Sequence, residues 1–316
     1  MGAHVGRRLL AMAPTLLLVS IATFLLAHLM PGDPALAVLG ETAPRDQVAY
    51  DAMRRDMGLD RPLPVQYLRW IGRLIHGNFG LSVRSQTPVG LELVHRLPIT
   101  LELTFFGMLV AAVVALPTGI VSAVRRGGGL QMAVTAGTLG GLAIPDFWLA
   151  ILLIYVFAVV LRLLPTGGFT PIVADPAANL KMMVLPALAL GLGQAAIVMR
   201  QVHSAMVDVL HREYVTTARA KGLSEWMVIR RHALRNALIP VVTILGLQVG
   251  RVFGTAVVIE TMFALPGLAR LAVDSAAFRD YSALQGAILV FALTVLVVNL
   301  LTDLLYGTLD PRIRYE

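Results

Sequence analysis

The feature that most constrains this chain is a series of apolar runs, each long enough to cross a bilayer. A helix rises 1.5 Å per residue, so about 20 apolar residues span the hydrocarbon core of a membrane. Such runs occupy residues 9–30, 103–124, 130–161, 182–199, 236–259 and 281–302. The fifth contains one charge, Arg251, and the third is interrupted at Pro145 and Asp146. The sequence therefore predicts an all-α membrane protein with six transmembrane helices.

Composition supports the same class. Hydrophobic residues make up 57% of the 316 residues and charged residues 14%, whereas a typical soluble chain has about 25% charged residues. The net charge of +7 is compatible with nucleic-acid binding, but apolar runs separate the basic clusters, so no continuous basic face is predicted. The chain has no cysteine, and its seven histidines show no metal-binding spacing. We therefore predict neither a nucleic-acid partner nor a metal site.

The first apolar run has two interpretations. Arg7 and Arg8 precede it, as in a cleaved secretory signal. The run is longer than a typical signal core of about 7–15 residues, and no small-residue cleavage site follows closely. We predict a retained membrane anchor.

Basic residues in short loops predict the orientation, because Lys and Arg are enriched on the cytoplasmic side. With the N-terminus inside, the inner segments hold thirteen Lys and Arg residues, and the short outer loops hold four. Those four are Arg162, Lys181, Arg270 and Arg279. Both termini are predicted to be cytoplasmic.

Residues 31–98 form a long hydrophilic segment that this orientation places outside. Amphipathic helices are predicted at 46–57 and 65–75. In the second of these, one face contains Val65, Leu68, Ile71, Leu74 and Ile75. The segment is either a small cap packed over the outer ends of the spans or a docking surface for an external partner.

Residues 200–235 form a second hydrophilic segment, on the inside, with seven basic and three acidic residues. It is far longer than a plain connection between helices. Tyr214, Ala218 and Gly222 are four residues apart and would share a helix face, which the small Ala218 and Gly222 leave open to another surface. Gly222 is expected to end the helix in the left-handed conformation. The helix would either dock into another protein's groove or lie on the phospholipid surface.

Several strings resemble one family along almost the whole chain. The run EYVTTARAKGL…RRHALRNALIP at 213–240 resembles the cytoplasmic EAA loop of ABC importer permeases, in the variant found in dipeptide and oligopeptide importers. Thr216 and Thr217 stand where the general pattern has Glu and Ala. Other strings are similar to the B-type permease subunit: RRLLAMAPTLLLVS, PGDPA, GLDRPLPVQYLRW, RLPITLELT, ETMFALPGLARLAVDSAAFRDY and LLTDLLYGTLDPRIR.

This resemblance implies a type I ABC importer permease fold in a bacterial cytoplasmic membrane. It divides the chain into residues 1–30 (N-terminus and first span), 31–98 (extracytoplasmic segment) and 99–316 (core permease domain, with a coupling loop at 200–238). The implied partners are a C-type permease, two cytoplasmic ATPases, an external binding protein and membrane lipid. The implied substrates are dipeptides or oligopeptides, or alternatively glutathione, nickel chelates or haem.

The chain is expected to be a transport subunit rather than an enzyme. It has no GxxxxGK[ST] motif, so it should hold no cofactor, and ATP and Mg would bind the partner ATPases. The resemblance places the coupling helix within residues 212–226. Glu213 would make a polar contact or cap, Ala218 and Gly222 would allow close approach, and Arg219 and Lys221 would pair with acids of the ATPase. The full predicted set is Glu213, Tyr214, Ala218, Arg219, Lys221, Gly222 and Leu223.

Four polar residues at membrane depth are candidates for the translocation pathway. A charge near mid-membrane costs about 2.5–3.5 kcal/mol on insertion scales, so Arg251 must face protein or water. It would either line the pathway or pair with an acid of another span, and Gln248 and Thr255 extend its polar stripe. Asp146 would either cap the second half of the broken span, the favoured interpretation, or line the cavity.

Two other classes of membrane protein fit the sequence less well. An intramembrane protease needs a serine or a pair of aspartates at membrane depth with a partner base, and Asp146 is the only Asp well inside an apolar run. A channel or ion-driven carrier often shows inverted repeats and several buried acids. The sequence shows no convincing repeat.

Overall fold

The computed structural model describes residues 2–29, 36, 47–56, 58–124, 129, 132, 136, 137, 140, 141 and 144–309. Within these residues the regular structure is helical, apart from one isolated antiparallel bridge between Leu81 and Pro88. This confirms the prediction of an all-α chain.

The helices are numbered along the chain. They are α1 (Gly2–Leu29), α2 (Gln47–Asp56), α3 (Leu63–Ile75), α4 (Val89–Val124), α5 (Asp146–Leu153), α6 (Pro176–Leu210), α7 (Glu213–Ala220), α8 (Glu225–Met227), α9 (Leu234–Met262), α10 (Leu268–Ala277) and α11 (Tyr281–Leu309). Two π-helical segments, Ile154–Val160 and Val228–Ala233, extend α5 and join α8 to α9.

Five helical stretches are long and apolar enough to cross a membrane. They are Leu10–Leu29, Val89–Val124, Pro176–Leu210, Glu225–Met262 and Tyr281–Leu304. Each contains most or all of one of the predicted runs, and several continue beyond it because polar residues extend the helix past the apolar window. Five of the six predicted spans therefore have a matching helix.

The third predicted span differs from the other five. Most of residues 130–143 lie outside the described residues, so the first half of this span is still a prediction. The second half is a shorter apolar helix, Asp146–Val160. Pro145 is extended and α5 begins directly after it, which confirms the predicted interruption. Proline explains the break, because it cannot donate a hydrogen bond to a preceding turn.

One compact unit contains residues 1–99 and 266–296. In it, the predicted amphipathic helices are present as α2 and α3, and α3 packs on the last part of α1. The apolar core of the unit joins Val89 and Leu93 of α4 to Leu268, Leu271, Ala283 and Ala287. The loop before α4 is held by Asp280, whose buried carboxylate accepts a 2.5 Å hydrogen bond from the hydroxyl of Ser82.

The second compact unit contains residues 100–265 and 297–316. Here α6 packs along α9. Small residues also let α4 and α6 approach closely. A Cβ on Gly107 would lie 2.8 Å from Leu190, and one on Gly191 would lie 2.5 Å from the carbonyl oxygen of Gly107. Between α9 and α11, a Cβ on Gly246 would overlap the side chain of Thr302. Glycine therefore sets the helix spacing at these three positions.

Candidate functional site

The segment between α6 and α9 contains the predicted coupling helix. Helix α6 ends at Leu210, and α7 begins at Glu213. Predicted limits of 212–226 thus enclose α7 and most of α8. Most side chains between residues 211 and 227 are exposed, the exceptions being Val215, Ala218 and Leu223.

The end of α7 follows the glycine signal in the sequence. Gly222 has φ +78°, the left-handed conformation that glycine adopts without steric cost. Its amide donates to the carbonyl of Arg219 at 2.9 Å, and the amide of Leu223 donates to the carbonyl of Ala218 at 3.4 Å. This pair of bonds is the Schellman motif. The predicted termination at Gly222 is confirmed.

The inner face of α7 is anchored in the chain's own core. Val215 is fully buried and Ala218 is 5% exposed, and both belong to the apolar cluster that contains Met206, Val228 and Ala237. The sequence interpretation placed Ala218 on an outward face open to a partner. That interpretation is wrong, because the larger Val215 lies three residues before Ala218 and draws their shared face inward.

The outer surface of the segment presents aromatic side chains. Tyr214 is exposed, and its hydroxyl accepts a 3.0 Å hydrogen bond from the amide of Asn236 at the start of α9. Trp226 is 69% exposed, and Met227 beside it is also exposed. Exposed Trp and Tyr side chains are typical anchors of protein interfaces. The sequence analysis did not single out Trp226, although a tryptophan in a polar loop is an available signal.

The charged candidates differ in what they contact. Arg219 forms a two-pronged ion pair with Glu225, with N–O distances of 3.0 and 2.6 Å. This hydrogen bonding raises the pKa of Arg219 above its ordinary value. Arg219 was expected to pair with a partner's acid, but in this chain Glu225 already occupies it. Lys221 is exposed, and Glu213 is the first residue of α7 and makes no side-chain capping bond.

The pathway candidates on α9 fall into two environments. Gln248 is buried, and its amide donates to Oε1 of Gln194 on α6 at 3.2 Å. Arg251 is exposed and takes part in none of the ion pairs found among the described residues. Thr255 is half-buried and donates to the carbonyl of Val252. The predicted polar stripe therefore starts at Gln248, which is buried between α6 and α9, and continues to the exposed Arg251.

Asp146 occupies a different position from the favoured expectation. Pro145 is the N-cap of α5, and no side chain caps the helix. The capping interpretation is wrong, because Asp146 already lies within the first turn. Its carboxylate is half-buried and lies where a Cβ of Gly193 would be. Since Gln194 follows Gly193, α6 carries the contacts of both Asp146 and Gln248.

A buried acid near the end of α9 escaped the sequence analysis. Glu260 is fully buried, and its carboxylate accepts a 2.5 Å hydrogen bond from the hydroxyl of Thr100 on α4. The available signal was a single acid at the end of an apolar run. Among the described residues, no group of three or more His, Asp and Glu side chains is arranged to hold a metal ion.

Comparison with known proteins assigns a family to this arrangement. Residues 115–315 match the model of the binding-protein-dependent transport system inner membrane component, and residues 1–104 match the model of the N-terminal part of the membrane component of such systems. A protein of Brucella suis biovar 1 (strain 1330) whose name describes a peptide permease is 42% identical over 97% of each chain. The glutathione transport system permease protein GsiC of Escherichia coli (strain K12) is 42% identical over 99% of each chain.

Solved structures support the same fold. An inward-facing MetNI methionine ABC transporter matches with a TM-score of 0.58 and 20% identity, covering 69% of this chain and 96% of that chain. An amino acid ABC transporter with histidines matches with a TM-score of 0.50 and 14% identity, covering 70% of this chain. At such identities the likeness concerns the fold alone. On the two family models and the full-length relatives together, this chain belongs to the family of inner membrane components of binding-protein-dependent transport systems.

Proposed function

We propose that this chain is the B-type permease subunit of an ATP-driven importer of peptides or glutathione. The observation that carries the proposal is 42% identity, over nearly the full length of each chain, to permeases named for those two substrate classes. Glutathione is itself a small peptide, so one kind of pathway suits both. Nickel chelates and haem are the alternative substrates.

We further propose the topology expected from the sequence. Six spans place both termini and the coupling loop 200–238 in the cytoplasm, and residues 31–98 on the outer side. The core permease domain covers residues 99–316. The distribution of Lys and Arg supports this orientation, and the apolar helix Asp146–Val160 supports a broken third span.

The proposed assembly contains this chain, a C-type permease, two ATPases and an external binding protein. ATP and Mg would bind the ATPases, and this chain would hydrolyse none. Family membership supports a binding protein and an ATPase as partners. The exposed Arg251 supports a second membrane subunit or a water-filled path beside α9, since an arginine at membrane depth must meet protein or water.

The coupling residues have two proposed roles. Val215, Ala218 and Leu223 hold α7 on the core of the permease. The exposed surface, with Tyr214, Lys221 and Trp226, would enter a groove of the ATPase. Gly222 permits the left-handed turn, with φ +78°, that ends α7 beside that surface.

The proposal is tested by purifying the tagged chain from its native membrane in mild detergent and identifying the co-eluting proteins by mass spectrometry. We expect a second permease and one or two ATPases. Trp226→Ala should reduce the co-eluting ATPase at least about 30-fold in apparent affinity, the effect of losing a hot-spot aromatic, and should leave the second permease bound.

Trp148→Ala on α5 is the matched control, since Trp148 is also exposed but lies in an apolar helix. It should leave the ATPase bound. Elution of the wild-type chain alone, or only as a homo-oligomer, would contradict the importer assembly. Loss of the ATPase with neither or both variants would contradict the placement of the docking surface.

A further inference from the structure

After α3 packs against α1, two sides of α3 are left exposed. The packed side is aromatic and polar: the hydroxyl of Tyr67 hydrogen-bonds Oγ of Ser20 at 2.8 Å, and the ring of Trp70 lies 5.7 Å from that of Phe24. Gln66 adds a 3.1 Å hydrogen bond to His28. These contacts fix which sides of α3 face away from the protein.

The contacts also place part of α3 beside the first candidate membrane span. Ser20, Phe24 and His28 lie four residues apart within the span Leu10–Leu29. Residues 66–70 of α3 make all of these contacts. This part of α3 therefore lies beside the second half of the span Leu10–Leu29. Its exposed sides must meet lipid or another membrane-embedded protein.

One exposed side of α3 is apolar. Leu68 is 69% exposed and Ile75 is 78% exposed. They are seven residues apart, so they lie on the same side of the helix. Such large apolar side chains are unfavourable in water, at about 1.5–3 kcal/mol each relative to burial.

The other exposed side of α3 is basic. Arg69 and Arg73 are exposed and four residues apart, and the helix Leu63–Ile75 contains no acidic residue. Neither arginine takes part in the ion pairs found among the described residues. An apolar strip beside a basic strip, with a tryptophan and a tyrosine between helix and span, is the pattern of a helix lying in the membrane interface.

A cleft of about 510 Å³ begins where α3 ends. It is lined by His76, Phe79, Pro88, Leu91 and Val94, among others, and its walls are mostly apolar. His76 follows Ile75 directly, so the cleft begins next to the C-terminal end of the apolar strip. Clefts of this size hold small ligands in other proteins.

We propose that α3 and this cleft bind a phospholipid of the outer membrane leaflet. One acyl chain would lie along Leu68 and Ile75 and enter the cleft. The phosphate would lie against Arg69 and Arg73, whose aliphatic stems extend from the apolar level to the headgroups. This inference rests on the proposed orientation, which places residues 31–98 outside, and it is independent of the transported substrate and of the ATPase partners.

The first test uses the absence of cysteine from the chain. Spin labels are attached at Leu68→Cys and Ile75→Cys, with Arg69→Cys and Arg73→Cys as matched neighbours on the basic side. The complete purified transporter is placed in vesicles of phosphatidylethanolamine and phosphatidylglycerol. We expect labels at 68 and 75 to collide more with oxygen than with a water-soluble nickel chelate, and labels at 69 and 73 to show the reverse.

A greater nickel than oxygen collision rate at 68 and 75 would overturn the proposal, because those positions would then face water. So would labels at 68 and 75 that are inaccessible to both reagents, since another protein would then cover the helix. Immobilisation of these labels on adding the external binding protein would likewise assign the surface to protein docking.

The second test measures lipid retention. The double variant Arg69→Gln, Arg73→Gln is compared with Arg54→Gln, Arg55→Gln on α2, which removes the same charge. Native mass spectrometry measures the phosphatidylglycerol retained by the complete complex. We expect roughly fivefold weaker retention for each arginine removed from α3, and little change for the α2 variant. Equal retention by the two variants would overturn the phosphate contact.

Discussion

At the scale of single residues, Asp280 illustrates how one side chain joins two distant stretches of the chain. Its carboxylate accepts from the hydroxyl of Ser82 and from the amides of Arg84 and Ala283. The bond to Ala283 caps the first turn of α11, as an N-cap aspartate does. The same group therefore starts a helix and holds a loop.

We predict that Asp280→Ala destabilises the protein by roughly 2–4 kcal/mol, because it removes a helix cap and leaves the buried hydroxyl of Ser82 without its acceptor. Thermal unfolding in detergent measures the change. Asp274→Ala is the control: its ion pairs with Arg84 and Arg270 are long and partly exposed, so it should lose no more than about 1 kcal/mol. Equal losses for the two variants would show that Asp280 acts only through its charge.

The sequence predicted the conformation of some residues but not the direction or the partner of others. The conformation of Gly222 was predictable, because a glycine after a short helix is a local signal. The direction of Ala218 was not, because it depends on whether Val215 meets the core, and the core is assembled from α6 and α9. Gln248 was identified as polar and membrane-deep, yet its partner Gln194 lies 54 residues away. Partners that distant are set by helix packing.

At the scale of elements, the spacing of helices depends on glycines at crossing points. Gly246 of α9 faces Thr302 of α11, and Gly254 of the same helix has nothing within 4 Å of where its Cβ would be. One glycine therefore permits contact and the other leaves a surface open.

We predict that Gly246→Ala destabilises the protein by about 1–3 kcal/mol through overpacking. Gly254→Ala should be neutral or stabilising, because alanine favours helix by up to about 1 kcal/mol and meets no neighbour. Adding Thr302→Ala to Gly246→Ala should recover part of the loss, since it removes the overlapping atoms. Unfolding midpoints of the three variants and the wild type in one detergent decide the outcome, and a double variant no more stable than Gly246→Ala would refute the contact.

Two elements were beyond sequence-based prediction. The π-helical segments Ile154–Val160 and Val228–Ala233 have no distinct sequence period, because one wide turn barely changes the apolar spacing. Such segments occur often at functional sites. The second of them joins α8 to α9, where a change of helical register would alter the direction of the span.

At the scale of the whole molecule, the membrane class and five of the spans were predictable because bilayer thickness fixes the length of an apolar helix. The family was recognisable because its strings occur in order along the chain. Which polar residues of the spans are exposed on the surface of the single chain was not predictable. Whether Arg251 points into the bundle or out of it depends on how α9 packs against α6.

The exposure of Arg251 on the single chain yields a prediction about assembly. Arg251→Leu should stabilise the isolated chain in a bilayer, by up to about 2.5–3.5 kcal/mol, and should lower substrate uptake by the complete transporter. Arg251→Lys keeps the charge and should resemble the wild type in the stability of the isolated chain. Denaturant unfolding in vesicles and radiolabelled peptide uptake measure the two effects. A Leu variant with unchanged stability and unchanged uptake would show that Arg251 faces neither a partner nor the pathway.

The anchoring of α7 has a mechanical consequence. Val215 and Ala218 lie in the same apolar cluster as residues of α4, α6 and α9, so the segment is not a loose tether. A force on the outer surface of α7 cannot be absorbed by movement of α7 alone, because bending α7 would open the close-packed core beneath it. The force is therefore transmitted to the adjoining ends of α6 and α9, and α7 would move with them as a rigid body.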